Sequence, residues 1–378
     1  MAVAIKVFSF FPEAVERYYS EGLYPVIARV QRVLLGWVPF SVGDLLYGAA
    51  AVVLVYRLVR LIGRLFRREA GRGWLRRFCE QSVFVVLWVY VVFNIAWGLN
   101  YDREGVAEQM NLDVRPYADA DLFELAATVV GELNSLHDTA VIRRGDLSRL
   151  ADLRAGAVEA YDSDSRFDPA LAYKSRSVKA SLFSYPGAYI GFAGYYNPFT
   201  GEAQMNMMDP VFTQPYTVCH EMGHQLGFAK EDEANFVGFL AARSSKDPAF
   251  QYSAYLDIYR YAFRELYMRD SALAKTLRGK TAPGVRDDLR AIQQFNRKYE
   301  NPIEPWIWSV YGRYLKANGQ PKGIVTYSEL TAWLVAYGRK FGIDAIRPPH
   351  PVTRYVPVLL APSAGMGLPE PGPGRRVP

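Results

Sequence analysis

The sequence predicts a mostly helical α+β protein in which two N-terminal transmembrane helices precede a larger domain with a small β-sheet or hairpin. Three observations support this fold class. Two long apolar stretches lie within the first hundred residues, apolar residues at helical spacing cover much of the remainder, and one segment near residue 200 has the pattern of strand, turn and strand. At 378 residues the chain is long enough for one sizeable domain and an anchor.

Residues 38–99 are predicted to be a membrane anchor of two helices. The clearer of them is Phe78 to Leu99, which has 18 successive uncharged residues from Ser82 onward. That length is enough to cross a bilayer. The other, Val38 to Tyr56, has a similar length but contains Asp44, so a buried or re-entrant helix is its alternative.

A strongly basic loop connects the two predicted spans. It holds eight arginines and one glutamate, a net charge of +7, whereas the whole chain has a formal charge of +6. The arginines are Arg57, Arg60, Arg64, Arg67, Arg68, Arg72, Arg76 and Arg77. The positive-inside rule predicts that this loop is cytoplasmic and that residues from about 100 onward lie on the extracytoplasmic side of the membrane. Because the charge is confined to one loop, the high pI does not indicate nucleic-acid binding.

Residues 1–37 are predicted to be an N-terminal segment ahead of the anchor. They contain no long apolar run and lack the basic, apolar and small-residue regions of a cleavable signal peptide. The first span is therefore expected to insert with its N-terminus outside.

The strongest functional signal is His-Glu-Met-Gly-His at residues 220–224, which includes two of the four histidines in the chain. On a helix, His220 and His224 lie one turn apart on the same face and can reach one zinc ion, with Glu221 beside them as a general base. The apolar flanks favour a buried active-site helix over the solvated helix face on which this short motif also occurs by chance.

A catalytic zinc site needs a third protein ligand, and Glu231 is predicted to supply it. Gly227 can adopt a positive φ and end the first helix, which lets the chain return to the metal within a few residues. Asn235 lies one turn beyond Glu231, where its amide could hold a ligand in place. Glu233 is the alternative ligand, or an acidic residue favoured by the helix dipole.

The segment Glu231-x-x-Ala234-Asn235 resembles the element that supplies the glutamate ligand in gluzincin-type peptidases. In those families the glutamate helix usually lies well beyond the first helix, whereas six residues separate His224 from Glu231 here. The nearby His-x-x-Gly spacing is similar to the metzincin pattern, which would place its third ligand at Lys230. The resemblance implies a zincin-like metallopeptidase domain and leaves its superfamily open.

A longer resemblance covers most of the chain. Residues 39–44, 191–204 and 220–236 are together similar to a bacterial membrane family, domain of unknown function 3810. This resemblance implies a bacterial membrane protein with an N-terminal anchor followed by a zinc-peptidase domain, here residues 100–347, and it supplies no substrate. With the positive-inside rule, the predicted location is the bacterial cytoplasmic (inner) membrane with this domain extracytoplasmic. Family members often begin with a further hydrophobic helix, which this sequence does not show.

The remaining segments are predicted to build the domain around the motif. Tyr189 to Tyr196 and Glu202 to Met207 flank a turn, and this hairpin is either the edge strand that aligns a substrate or an ordinary part of a small sheet. Asp113 to about Arg176 and the region from Asp247 onward are predicted to be helical, the latter with many tyrosines, any of which could stabilise an oxyanion. The Pro- and Gly-rich residues 348–378 are predicted to be a disordered tail.

The two cysteines, Cys79 and Cys219, predict no disulfide framework. Cys219 precedes the first histidine of the motif and points away from its metal face, so it is interpreted as a small buried apolar residue. A nucleophilic cysteine is a weaker alternative, because no motif links another histidine to it.

Taken together, these residues predict a membrane-anchored zinc metallopeptidase. Zn²⁺ held by His220, His224 and Glu231 would acidify a bound water, and Glu221 would take its proton as the water attacks a peptide carbonyl. The expected partners are a peptide or protein substrate, membrane-proximal by its location, and the lipid bilayer. The alternative is a non-catalytic membrane-anchored zinc-binding receptor or scaffold, with Glu233 or Cys219 as a fourth ligand. A transporter is disfavoured by the large extramembrane portion.

Overall fold

The computed structural model describes residues 1–163, 177–317 and 327–349. It is mostly helical, as predicted, with one three-stranded sheet. The helices before the sheet's second strand are α1 (Ala2–Phe8), α2 (Pro12–Ala14), α3 (Tyr24–Leu35), α4 (Val42–Phe66), α5 (Arg72–Ala96), α6 (Val106–Gln109), α7 (Asp119–Arg143), α8 (Leu150–Ser163) and α9 (Ser184–Ile190). Those after the sheet are α10 (Gln214–Gln225), α11 (Glu231–Ser244), α12 (Pro248–Arg269), α13 (Ser271–Lys280), α14 (Pro283–Tyr299), α15 (Glu304–Ala317) and α16 (Tyr327–Phe341). The predicted tail from residue 350 and the end of the predicted helical region, residues 164–176, lie outside the described residues.

Helices α4 and α5 are both long and apolar enough to cross a membrane, at 25 residues each. Asp44 does not interrupt α4, because it lies in the first turn and its buried carboxylate accepts a hydrogen bond from Leu182 N at 2.7 Å. The Ser41 hydroxyl caps the same helix by accepting from Asp44 N at 3.0 Å. The apolar part of α4 therefore follows a polar first turn in which Ser41 and Asp44 are hydrogen-bonded.

The arginine-rich segment is mostly helical rather than a loop, which corrects the prediction. Six of its eight arginines lie within the ends of α4 and α5, and only Arg67 and Arg68 lie in the connection. The turn is made by Arg68, which has a φ of 56°. Arginine is a good helix former, so both apolar helices continue through their basic ends.

The N-terminal segment packs against the rest of the protein. After α2 it forms a π-helix, Val15–Leu23, which leads into α3. Tyr19 and Tyr24 are buried in a small apolar cluster with Trp97 and Tyr196. A buried ion pair between Glu16 and Arg103 fixes the same segment to the chain that follows α5.

The main core lies between α7, α8, α10, α11, α12 and α16. The apolar spacing predicted in α7 is the buried face of that helix, with Leu122, Val129 and Leu133 fully buried. On the other side of the core, Phe250 and Tyr255 of α12 are also fully buried. Helices α10 and α11, which contain the predicted zinc ligands, are thus held inside a helical frame.

The sheet consists of β1 (Val178–Ala180), β2 (Gly194–Asn197) and β3 (Glu202–Met205) in the order β1-β3-β2. Strands β2 and β3 form the predicted antiparallel hairpin, and β1, which was not predicted, pairs with β3 in parallel. The first predicted strand is too long, because Tyr189 and Ile190 end α9. β2 lies at the edge of the sheet and faces the candidate site.

Candidate metal centre

Helix α10 presents the His-Glu-Met-Gly-His motif on a rigid, buried element. Pro215 lies in its first turn, and Gly227 follows its last turn with a φ of 93°. Phe228 N closes that turn by donating to Gly223 O at 3.1 Å. The positive φ required at Gly227 is the feature that the sequence predicts for the end of this helix.

The structure brings together the three predicted ligands. The possible ligand atoms of His220, His224 and Glu231 all lie within 4.8 Å of one another. Glu231 begins α11, and its carboxylate oxygens are 3.4 Å from His220 Nε2 and 3.8 Å from His224 Nε2. The short connection after Gly227 therefore returns the chain to the two histidines.

A backbone carbonyl fixes the orientation of the His224 ring. Its Nδ1 lies 2.8 Å from Phe228 O, which leaves Nε2 directed at Glu231. Burial alone would lower the pKa of His224, but the hydrogen bond and negative charge of Glu231 outweigh it and raise the pKa to about 9. Burial likewise acts to raise the pKa of Glu231, yet the two histidines hold it well below its usual range.

Glu221 lies beside the three donors and against the sheet. Its side chain is buried, and Oε2 has no hydrogen-bond partner among the described residues. Burial raises the pKa of Glu221 to about 7, although the neighbouring histidines act to lower it. On β2, a Cβ at Gly194 would lie 2.7 Å from Glu221 Oε1, so the strand passes directly over this carboxylate.

The alternative ligands lie elsewhere. Glu233 is fully buried and pairs with Lys230 Nζ at 3.2 Å, outside the three-donor cluster. Cys219 is also fully buried, and burial raises its pKa far above the ordinary value, as expected of a small apolar residue. Asn235 does not take the predicted role: its Oδ1 accepts from Tyr216 OH at 3.2 Å, and no described hydrogen bond joins it to a ligand.

Three residues that the sequence did not single out hold the end of α10. Trp97 Nε1 donates to His224 O at 2.9 Å, and Tyr24 OH donates to Gln225 O at 2.8 Å. Arg103 Nη1 donates to Gly227 O at 3.2 Å. The residues that follow α5 and the N-terminal segment therefore fix the turn that carries the second histidine.

A tyrosine from α15 completes the surroundings of Glu231. Tyr311 OH donates to Glu231 Oε1 at 2.7 Å. Its ring packs edge-on against Phe192 and Trp308, with centroids 5.9 and 5.7 Å away. Burial raises the pKa of Tyr311 well above its usual value, so the phenol stays protonated and remains a donor.

The residues present suit a zinc ion. Two imidazoles and one carboxylate are the donor set of many catalytic zinc sites. His220 Nδ1 and Glu221 Oε2 are buried polar atoms without a partner in the described part of the chain. The negative charge that raises the pKa of His224 would equally attract a cation.

The cluster opens into a cavity of about 1340 Å³. Its wall includes Glu221 and the three donors, the edge strand β2, and side chains from α4, α5, α9, α12, α14 and α15. A volume of this size exceeds the range that is typical of small-molecule sites.

Comparison with known families places the chain. A family model described as "Protein of unknown function (DUF3810)" matches residues 19–335. The chain belongs to the DUF3810 family. The DUF3810 match includes both apolar helices, the sheet and the helices that carry the candidate ligands. No curated protein and no solved structure matches the chain.

Proposed function

We propose that this protein is a membrane-anchored zinc metallopeptidase with a zincin-like catalytic domain. The observation that carries the proposal is the meeting of His220, His224 and Glu231 within 4.8 Å, next to a buried carboxylate and an edge strand in one large cavity. The three metal donors, the buried carboxylate and the edge strand each have a separate role in peptide hydrolysis. A function limited to metal binding would need only the three donors.

The residues divide the chemistry between them. His220, His224 and Glu231 would hold the metal, and zinc in such a site polarises a carbonyl and acidifies water. Glu221, buried beside these ligands with Oε2 free of a hydrogen-bond partner among the described residues, is suited to accept a proton from the water and return it to the departing amine. The hydroxyl of Tyr311 donates to Glu231 and thereby fixes the direction of that carboxylate.

Strand β2 supports a polypeptide substrate in particular. No fourth strand pairs with its outer edge in the described residues, and Gly194 brings its backbone against Glu221. An extended peptide adding to this edge would pass beside the proposed base. The strand thus supplies alignment by main-chain hydrogen bonds, which is independent of substrate sequence.

The proposed topology places the site outside the bacterial cytoplasmic membrane. The start of α4 meets the sheet where Val42 N donates to Glu202, and Trp97, directly after α5, donates to His224 O in α10. The arginine-rich ends of α4 and α5 are the opposite ends of these two helices. The positive-inside rule then assigns the arginines to the cytoplasm.

The alternative of a structural zinc receptor or scaffold has less support. It requires a closed site with a fourth protein ligand, and Glu233 and Cys219 both lie outside the cluster. The unpartnered Glu221 carboxylate also suits a site that is open to substrate.

The test uses the full chain in detergent, because Tyr24 and Arg103 hold the end of α10. Wild type should contain about one zinc per chain by mass spectrometry, Glu231→Ala should lose it, and Glu233→Ala should retain it. Glu221→Gln should keep the metal and lose cleavage of a quenched fluorogenic peptide library. Zinc-free wild type, or full activity in Glu221→Gln, would refute the proposal.

A further inference from the structure

The cavity that contains the three candidate metal ligands extends to the two apolar helices, α4 and α5. Tyr47 of α4 and Phe93 of α5 line the same cavity as Glu221 and His224. Both rings pack against Phe199 in the β2–β3 turn, with centroids 6.4 Å away. One continuous space therefore joins the site to the helices that are suited to cross the membrane.

The depth of these residues follows from the exposed side chains around them. Leu45 and Leu46 of α4 are 52% and 45% exposed, and Ile95 of α5 is 40% exposed. Large apolar side chains that are exposed to this extent on a membrane-spanning helix face lipid. Because Tyr47 and Phe93 lie within two residues of them along the same helices, this part of the cavity wall lies at the edge of the bilayer.

The cavity also reaches the surface at that level. Phe183, at the start of α9, lines the cavity and is 37% exposed. Its ring lies beside α4, 3.9 Å from where a Cβ would stand on Gly48. The lip of the cavity is therefore directly beside a candidate span.

Exposed apolar residues continue around this lip on α9 and α15. We call them the apolar belt, and they are Leu182, Phe183, Tyr185, Ile303, Trp306 and Val310. On α15 the belt residues lie on one face, while Trp308 and Tyr311 on the opposite face line the cavity. Arg313, at the side of the exposed face, is also exposed. Aromatic and aliphatic residues with a flanking cation are the pattern of a helix that lies in the membrane interface.

A second helix has the same character on the N-terminal side. Val26, Val30, Val33 and Leu34 of α3, with Trp37 after it, are exposed at three- and four-residue spacing. This stripe ends five residues before α4 begins. Both exposed apolar surfaces are thus continuous with the candidate spans, which identifies lipid as the material that covers them.

We propose that the apolar belt rests on the bilayer and that the cavity opens there to take a polypeptide segment lying next to a membrane anchor. The substrate half of this inference rests on the proposed peptidase function. A segment tethered close to the bilayer would enter between α9 and α15 and extend along β2 to Glu221. The belt itself needs no catalytic activity and is tested without it.

The contact with lipid is tested by fluorescence quenching in vesicles of phosphatidylethanolamine and phosphatidylglycerol. In a Cys79→Ser background, single cysteines introduced as Trp306→Cys, Leu182→Cys and Ile142→Cys are labelled with an environment-sensitive dye. Ile142 is a matched control, since it is 55% exposed and lies on α7, which contributes no residue to the belt or to the cavity wall. Lipids spin-labelled near the headgroup should remove most of the fluorescence at positions 306 and 182 and little at 142. Equal quenching at all three positions would overturn the proposal.

The substrate class is tested with one unstructured casein-derived peptide in soluble and palmitoylated forms, both added to vesicles containing the full chain. The palmitoylated form should be cleaved faster, and the double variant Ile303→Gln/Trp306→Gln should reduce that preference several-fold, while Ile142→Gln should not. Cleavage of both forms at equal rates would overturn the substrate class and leave the peptidase function standing. Hydrolysis of the vesicle phospholipid with neither peptide cut would overturn both.

Discussion

The phenol of Tyr311 donates a hydrogen bond to Glu231 Oε1 at 2.7 Å, which links α15 to the first turn of α11 across the cavity. The two residues are 80 positions apart in the chain. The contact constrains one carboxylate oxygen and leaves the other, Oε2, 3.4 Å from His220 Nε2. Removing this hydrogen bond therefore tests whether Glu231 acts as a metal ligand.

Tyr311→Phe should weaken zinc binding by about tenfold or more, because outer partners of a ligand typically contribute this much to metal affinity. The substitution removes only the hydroxyl and keeps the ring packed on Phe192 and Trp308. Competition with a zinc chelator measures the affinity. Tyr267→Phe is the control, since Tyr267 is exposed on α12 and should change nothing. Unchanged zinc affinity in Tyr311→Phe would argue against Glu231 as a ligand.

Gly194→Ala should impair the site through β2. An added Cβ would lie 2.7 Å from Glu221 Oε1 and 2.9 Å from Gln204 O, so the carboxylate or the strand must move. Overpacking of this kind costs about 1–3 kcal/mol of stability, and displacement of a reacting group by an ångström can cost about a hundredfold in rate. Peptide cleavage and thermal unfolding are measured together.

The matched control for that change is Gly131→Ala on α7, where a new Cβ would meet no atom within 4 Å and would lie outside the cavity wall. It should leave the cleavage rate within about twofold of wild type and is favourable for a helix interior. If both alanine variants behaved alike, close approach of β2 to Glu221 would not be important for the reaction.

Glu16→Ala should destabilise the whole protein, including the metal site. Glu16 and Arg103 form a buried ion pair, and Arg103 also donates to Gly227 O after α10. Removing one partner of a buried pair leaves an uncompensated charge, which costs about 3–5 kcal/mol. A lower melting temperature in detergent and weaker zinc retention are expected. Glu21→Ala, at an exposed position in the same π-helix, should melt like wild type.

Some of the residues changed in these variants could be predicted from the sequence, and others could not. His220, Glu221, His224 and Glu231 were predictable because they lie within twelve residues, where helix geometry and the turn at Gly227 decide their positions. The two long apolar helices, α4 and α5, were predictable from length and apolarity. The prediction of a loop at their basic ends is wrong. A charged sequence at the end of a helix gives no clear signal of where the helix ends, and the turn comes only at Arg68.

Contacts between distant parts of the chain left no such signal. Trp97 reaches His224 from 127 residues away, and Tyr24 reaches Gln225 from 201. Strand β1 has three residues and depends on parallel pairing with β3, so its own sequence is too short to identify it. Tyr189 and Ile190 favour a strand by residue type, yet they end a helix whose packing against α14 and α15 decides the outcome.

Asp209 should make the stability of the protein depend on pH. It lines the cavity between β3 and α10, and burial raises its pKa from 3.8 to about 7, with Arg260 acting in the opposite direction. The folded state therefore holds a proton that the unfolded state releases. Its contribution to stability is fully present below about pH 4 and is lost as the pH rises through about 7.

Asp209→Asn removes this titration and keeps a side chain of nearly the same size. At about pH 8 the variant should be more stable than wild type, by up to about 4 kcal/mol for a shift of this extent, and at about pH 4 the two should be equal. Thermal unfolding of the full chain in detergent across this range measures the difference. Asp113→Asn, at a mostly exposed carboxylate, is the control and should melt like wild type. Equal melting temperatures for Asp209→Asn and wild type at both ends of the range would mean that Asp209 is ionised and well solvated in the folded protein.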